Sequence, residues 1–429
     1  MSLKCFPIVS YKTLMNIDPG ALIKIVLLYL YMALLLSACS LPEIKKQSEI
    51  IDSLGEITGE VNVLVKEAGP VHVVLFIKKN GYFDLVDHYP VGADGKYVLH
   101  VIPDTYFIAA YMDANNDEIY QFGEPASYLG IADAEPREIR VNAGEKIVAE
   151  SFTISGSIKS RVSVNTKWSY PKYDNNIGRV VSLDDPIFHR ENAAMGLWRP
   201  LDFINNIGGG LFFLQKFDEE KIPVLFIHGA NGTALDWKEV ITSMDRERFQ
   251  PWVLYYPSGG RLDMISNYLI ESINTLRNRH KIKQLYVIAH SMGGLLARSY
   301  IMKNTESGNT VKIALSMTIN SPMKGMESAK SGVQYSPIVV PSWRDVAMGS
   351  EFIQKITAWN WPEDIPYHLV FSYESGEGSD GVVSLESQIP LKLQAEAERI
   401  YGFNSGHASV LQDEIFISRF NAILIDSLH

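Results

Sequence analysis

Cysteine is almost missing from this chain. Its 429 residues hold only Cys5 and Cys39, both in the first tenth of the sequence. The remaining length therefore cannot build a structural disulfide or a cysteine-held zinc site. A basic excess is missing too: 39 Lys and Arg stand against 49 Asp and Glu, a net charge of −10. No broad cationic surface is available to neutralise phosphates, so nucleic acid is not an expected partner. Fixed-period repeats and long low-complexity tracts are absent as well. What remains is 46% apolar and 21% charged, the balance of a globular chain rather than a disordered one. The length suits two domains.

The N-terminus reads as an address. Ile25–Leu36 is an unbroken apolar run of 12 residues, preceded by Lys4, Lys12 and Lys24. It is short for a membrane span, which takes about 20 residues, and fits the core of a secretory signal. Leu36-Ser37-Ala38-Cys39-Ser40 follows and resembles the bacterial lipobox. The resemblance implies cleavage after residue 38 and acyl chains on Cys39. Several chains anchor firmly where one binds only marginally. An uncleaved anchor or a plain signal peptide is the other reading, and Met15 is an alternative start. Ser40 is similar to the outer-membrane sorting pattern. The expected location is the bacterial cell envelope, lipid-anchored, at the outer membrane if Gram-negative.

Residues 55–155 read as all-β. Val61, Val63 and Val65 alternate, as do Val71, Val73 and Leu75, and Tyr97–Val101 and Tyr106–Ala110 are further β-rich runs. Gly92–Gly95 and Pro103-Asp104 supply turns. Short strands at regular spacing predict a small sandwich. The stretch from Asp94-Gly95-Lys96-Tyr97 to Pro103-Asp104-Thr105-Tyr106 resembles the transthyretin-like or carboxypeptidase-regulatory-like modules of secreted proteins. Within it, Asp113, Asn115, Asp117 and Glu124 take positions 1, 3, 5 and 12 of a calcium loop. Glu118 stands where that loop has glycine. The alternative is a polar turn whose side chains bond their own backbone.

Beyond Lys221 strand and helix alternate. Val224–Ile227, Trp252–Tyr256, Leu285–Ala289, Ile313–Asn320 and His368–Tyr373 are buried-strand runs. Between them Ile265, Leu269, Ile273 and Leu276 repeat at helical spacing. Apolar strands without polar alternation, separated by helices, predict a parallel sheet. The expected order is a signal over 1–38, a tether over 39–54 and the β module over 55–155. A linker and lead-in over 156–220 precede a catalytic domain over 221–429, with an insertion at about 321–367.

The third of these strands runs into His290-Ser291-Met292-Gly293-Gly294. With Ala289 before it, this resembles the G-x-S-x-G nucleophile elbow. His228-Gly229-Ala230-Asn231-Gly232 at the end of the first strand resembles the H-G-x-x-G oxyanion segment of lipases and esterases. Ser379-Asp380-Gly381 and Asn404-Ser405-Gly406-His407 resemble the acid and histidine loops of bacterial lipases. Together they imply an α/β-hydrolase fold from Lys221 to the C-terminus. The implied roles are Ser291 as nucleophile, His407 as base and Asp380 as acid, with the Ala230 and Met292 N–H groups as oxyanion hole. Asp345 and Asp364 are rival acids, and His228 is structural. The small residues around Ser291 suit a crowded turn, and a helix N-terminus there favours a developing anion.

The expected activity is carboxylic-ester hydrolysis on lipid or lipophilic esters, with no cofactor. An acyltransferase or amidase would use the same three side chains, and a catalytically silent, membrane-tethered binding protein is the reading from another class. Trp343, Phe352, Trp359 and Trp361 in the insertion serve a lid or acyl groove, or simply pack it onto the core.

Overall fold

The period-2 runs near the start of the body do form strands. In the computed structural model, residues 41–66, 69–130, 136–157, 176–280, 282–308, 311–374, 376 and 378–428 are described. The apolar run 25–36 and Cys39 lie outside them. By chain contacts, residues 1–46 and 47–429 are separate units. Of the first only 41–46 are described, and they are helical. No helix among the described residues is long and apolar enough to cross a membrane.

Five long strands open the second unit: β1 (Gly55–Val63), β2 (Val71–Lys79), β3 (Tyr82–Pro90), β4 (Lys96–Val101) and β5 (Asp104–Met112). Four short ones follow: β6 (Ala126–Tyr128), β7 (Ile139–Val141), β8 (Lys146–Val148) and β9 (Phe152–Ile154). One sheet runs β4-β1-β8 with β9 also on β1, and the other runs β3-β2-β5-β6 with β7 also on β5. Their inward side chains, among them Ile57, Leu99, Val73, Leu75 and Ile108, share one core, which makes the pair a sandwich. The opposite face of β2 is covered too: Val74 and Phe76 pack with Phe83 and Phe107. Burial on both faces explains why apolar Val74 and Phe76 stand beside the alternating Val71, Val73 and Leu75.

A seven-stranded sheet forms the larger part, from β10 (Gly210–Phe213), β11 (Ile222–Ile227), β12 (Phe249–Tyr255), β13 (Gln284–His290), β14 (Lys312–Ile319), β15 (Tyr367–Ser372) and β16 (Arg399–Phe403). The order is β10-β12-β11-β13-β14-β15-β16, and only β10 runs antiparallel to its neighbour. Successive side chains point to opposite faces, so each strand feeds two cores. Leu225, Ile227, Leu285 and Val287 enter one. Val224, Phe226, Tyr286 and Ile288 enter the other. Both cores are roofed by helix, which is why these strands are apolar throughout.

Among the described residues from 176 onward the α-helices are α1 (Arg190–Trp198), α2 (Pro200–Asn206), α3 (Lys238–Ser243), α4 (Leu262–His280), α5 (Met292–Glu306), α6 (Glu327–Tyr335), α7 (Pro341–Val346), α8 (Glu351–Ala358), α9 (Leu385–Gln388), α10 (Leu391–Glu396) and α11 (Glu414–Asp426). α4 and α5 cover the first core through Leu269, Ile273, Leu296 and Tyr300. α11 covers the second through Phe416, Phe420 and Leu424.

Three placements differ from expectation. The strands β10 and β16 were not foreseen. β10 is only four residues and opens on the last of three glycines, and β16 is an edge strand with most side chains at least partly exposed, so neither shows a long apolar run in the sequence. Because β10 joins the sheet, the described part of the lead-in from residue 176 onward already belongs to the α/β body, while Ser157 still bridges to Pro125 of the sandwich. The expected tether is packed from residue 47 onward. Gln47 Oε1 accepts from the Leu201 and Asp202 N–H groups at the start of α2, which otherwise lack helical partners. Asp52 pairs with Arg344 and Arg261.

The insertion packs onto the body. Arg298 of α5, with 1% of its side chain exposed, donates to the carbonyls of Ile356 and Trp359 and pairs with Glu396. Trp359 and Trp361 flank its guanidinium, and Trp361 stacks on Tyr367. Trp343 meets Trp198 edge to face, and Phe352 is buried in the core. All four aromatics are thus used in packing.

The calcium-like segment is a hydrogen-bonded turn. The Asp113 carboxylate accepts from the Asp117 and Glu118 N–H groups, and Glu124 accepts from those of Ala114 and Gln121. The Asn115 amide donates to Asp117, whose own carboxylate takes the Ile119 N–H. Glu118 sits at φ 63 and reaches away to a bidentate pair with Arg279 of α4. Among the described residues no group of three or more His, Cys, Asp and Glu side chains is placed to hold a metal ion.

Candidate active site

Ser291 stands between β13 and α5, at φ 55 and ψ −131. A non-glycine residue rarely adopts that conformation, and it persists only where surroundings over-determine it. Here they do. The Ser291 N–H donates to the Ile319 carbonyl on β14 at 2.8 Å. Behind it, a Cβ on Gly293 would lie 2.5 Å from the His228 carbonyl oxygen. Only glycine lets α5 start this close to the end of β11. Met292 is the first residue of α5, so its N–H has no partner one turn back in the helix.

Two loops reach Ser291 from the ends of β15 and β16. His407 Nε2 lies 2.8 Å from Ser291 Oγ, and His407 Nδ1 lies 2.7 Å from Asp380 Oδ2. A carboxylate only accepts, so Nδ1 carries the proton and Nε2 accepts from the serine hydroxyl. The other carboxylate oxygen, Asp380 Oδ1, accepts from the Val382 and Val383 N–H groups at 2.9 and 2.7 Å. Burial would raise the Asp380 carboxyl. The bonds from His407 and the two backbone groups outweigh it and hold the group below its ordinary value. The Asp380 side chain is 0% exposed and that of His407 14%, so the pair is dry but the imidazole reaches the surface. The His407 N–H also donates to the Asp380 carbonyl at 2.8 Å, which ties the two loops by backbone.

The oxyanion-like segment is a tight turn. The Gly232 N–H donates to the Gly229 carbonyl at 3.1 Å, with exposed Ala230 and left-handed Asn231 (φ 55) between them. Ser258 Oγ, itself buried, accepts from the Asn231 N–H at 2.9 Å and pins the turn. A Cβ on Gly229 would sit 2.8 Å from Ser291 Cβ, so this strand end passes directly against the serine. His228 is packed beneath. It stacks on Tyr256, its Nδ1–H donates to the Gly229 carbonyl, and burial holds its pKa down to about 4.

The rival acids lie elsewhere. Asp345 is buried in a pair with Arg261 and accepts from the Leu262 N–H. Asp364 is exposed. Two residues given no role by sequence touch the base loop: His290 and Asn320, at the ends of adjacent strands. Polar residues closing buried apolar strands were the available signal, since parallel sheets carry their sites at those ends.

The sheet order, with a serine on a strained turn after its central strand, decides the architecture. The chain carries an α/β-hydrolase fold. A family described as "Alpha/beta hydrolase of unknown function (DUF915)" matches residues 258–399 of this hydrolase part. No curated protein matches. Among solved structures, the mature lipase BlEst2 of Bacillus licheniformis is 15% identical with TM-score 0.41, over 50% of this chain and 97% of that one. The lin2722 product of Listeria innocua is 16% identical with TM-score 0.38, over 48% and 94%. At such identities and scores neither bears on what this protein acts on.

Proposed function

We propose that this protein is a serine hydrolase that cleaves carboxylic esters through an acyl-enzyme intermediate. The supporting observation is the hydrogen-bond chain from Ser291 through His407 to Asp380, with Ser291 raised on a strained strand-to-helix turn. In this reading His407 Nε2 takes the hydroxyl proton as Ser291 Oγ bonds to the acyl carbon. The carbonyl oxygen becomes an oxyanion, held by the N–H groups of Ala230 and Met292. Its collapse breaks the bond to the leaving alkoxide, which departs with the proton from His407. Water then gives its proton to His407 and attacks the acyl carbon, and as the second oxyanion collapses His407 returns the proton to Ser291 Oγ, whose bond to the acyl carbon breaks to free the acid. Asp380 keeps the proton on Nδ1 and stabilises the imidazolium. None of these steps calls on a metal or cofactor.

The substrate we propose is a lipid or lipophilic ester at the bacterial cell envelope, with the protein anchored through acylated Cys39. This part rests on the apolar run and lipobox-like segment. The test is fluorophosphonate labelling of the full chain beside Ser291→Ala. Labelling that disappears in the variant supports an activated serine. A folded wild type that stays unlabelled, with and without detergent, overturns the hydrolase reading. Rates on p-nitrophenyl esters then address the substrate: a rise with acyl length supports lipophilic esters, and a steady fall rejects them.

A further inference from the structure

A cavity of about 270 Å³ lies where the sandwich, α4 and the turn after β12 meet. Ser291, His407 and Asp380 do not line it. Four tyrosines border it: Tyr89 from β3, Tyr255 and Tyr256 at the end of β12, and Tyr268 from α4. Two carboxylates, Asp87 and Glu271, open onto it from opposite sides of the junction. Among the described residues of the wall the only positive side chain is Arg261, already held by Asp345 and Asp52. His100, the one histidine among them, is neutral: its Nε2 accepts from the Asn267 amide at 2.9 Å, and burial holds its pKa down to about 4. Asp87 accepts the His88 N–H at 2.9 Å, and among the described residues no Lys or Arg pairs with it.

Tyrosine rings and a carboxylate without a cation, set in a largely apolar wall, are what an organic cation requires. The ring quadrupole attracts the charge, the carboxylate neutralises it, and apolar walls take its substituents. An anionic ligand would meet two negative groups and no free positive one. We propose that this cavity binds a small organic ammonium ion with apolar substituents, its charge against Asp87 and its substituents against Val98 and Met264. The site is distinct from the serine centre, so the proposal stands whether or not the protein hydrolyses esters.

The test is calorimetric titration of the full chain with hexyltrimethylammonium, 1-hexanol and hexanoate. The three share a chain and differ in charge. The ammonium is expected to bind about tenfold or more tighter than the alcohol, and hexanoate not at all. Asp87→Asn keeps the volume and removes the charge, and should erase the ammonium's advantage while leaving hexanol within about twofold. Val98→Trp fills the space and should abolish both, with circular dichroism to confirm folding. If that variant unfolds, Asp87→Asn still decides the matter. The quaternary ion keeps its charge at every pH, so pH dependence reports the protein. Burial pushes the Asp87 carboxyl up to about 6, and affinity should fall as pH drops through that value. Hexanoate binding as well as the ammonium, an ammonium affinity unchanged by Asp87→Asn, or no ammonium binding at all overturns the proposal.

Discussion

The Nε2–H of His290, the residue just before the serine, donates to the backbone carbonyl of His407 at 2.8 Å. Asn320 Nδ2 donates to the same oxygen at 3.0 Å and to Ser372 Oγ at 2.6 Å. Both donors are buried, and burial holds the His290 pKa down to about 4, so the ring stays neutral with its proton on the nitrogen the carbonyl requires. The loop bearing the base is thus clamped by the strands that carry the nucleophile and its neighbour.

Replacing His290 tests that clamp. His290→Phe leaves Asn320 as the carbonyl's remaining donor. It should cost about 1–2 kcal/mol of stability. It should also lower kcat on a p-nitrophenyl ester about tenfold or more, with KM little changed, because a displaced base affects the transition state more than binding. His290→Gln, which retains a donor, should recover part of kcat. Equal kinetics in wild type and His290→Phe would show that the clamp is only structural.

Asp380→Asn keeps the shape and loses the charge that orients His407. A fall in kcat of roughly 10³–10⁴ is expected, with the fold intact. The folded-state pKa of Asp380 lies below its ordinary value of 3.8. Its ionisation therefore stabilises the fold fully above that value, and the contribution is lost as pH falls through the lowered one. Urea unfolding of wild type and variant should differ near neutral pH and converge in strong acid. A constant gap across the range would refute the linkage.

Asp345→Asn is the contrasting acid. It removes the charge that meets a partly exposed Arg261 and should destabilise by about 1–3 kcal/mol, less than for a fully buried pair. The kcat of the folded fraction should stay near wild type. A loss comparable to that of Asp380→Asn would reopen the assignment of the acid.

Gly229→Ala probes the closest approach to the serine. The added methyl would meet Ser291 Cβ at 2.8 Å, well inside van der Waals contact. Fluorophosphonate labelling should slow by about tenfold or more while urea unfolding shifts by about 1–3 kcal/mol. Unchanged labelling would mean that β11 yields without disturbing the serine.

By itself the sequence determined the local terms of this protein. The apolar runs named five strands of the parallel sheet because burial on both faces leaves no room for polar alternation. The small residues around Ser291 named the turn because only they fit where a strand and a helix start touch. The sequence resemblance put Asp380 ahead of Asp345 as the acid, and the fold seats the Asp380 carboxylate on His407 while Asp345 pairs with Arg261. Tertiary structure alone decided two other matters. It recruited His290 and Asn320 to the His407 carbonyl across 117 and 87 residues of chain. It also brought Asp87 of the sandwich beside the cavity wall of α4, since a cavity between two packed parts belongs to neither segment's local pattern. Periodicity records how each segment is buried. Which distant groups meet follows from the sheet order, and that order is set by packing the whole chain at once.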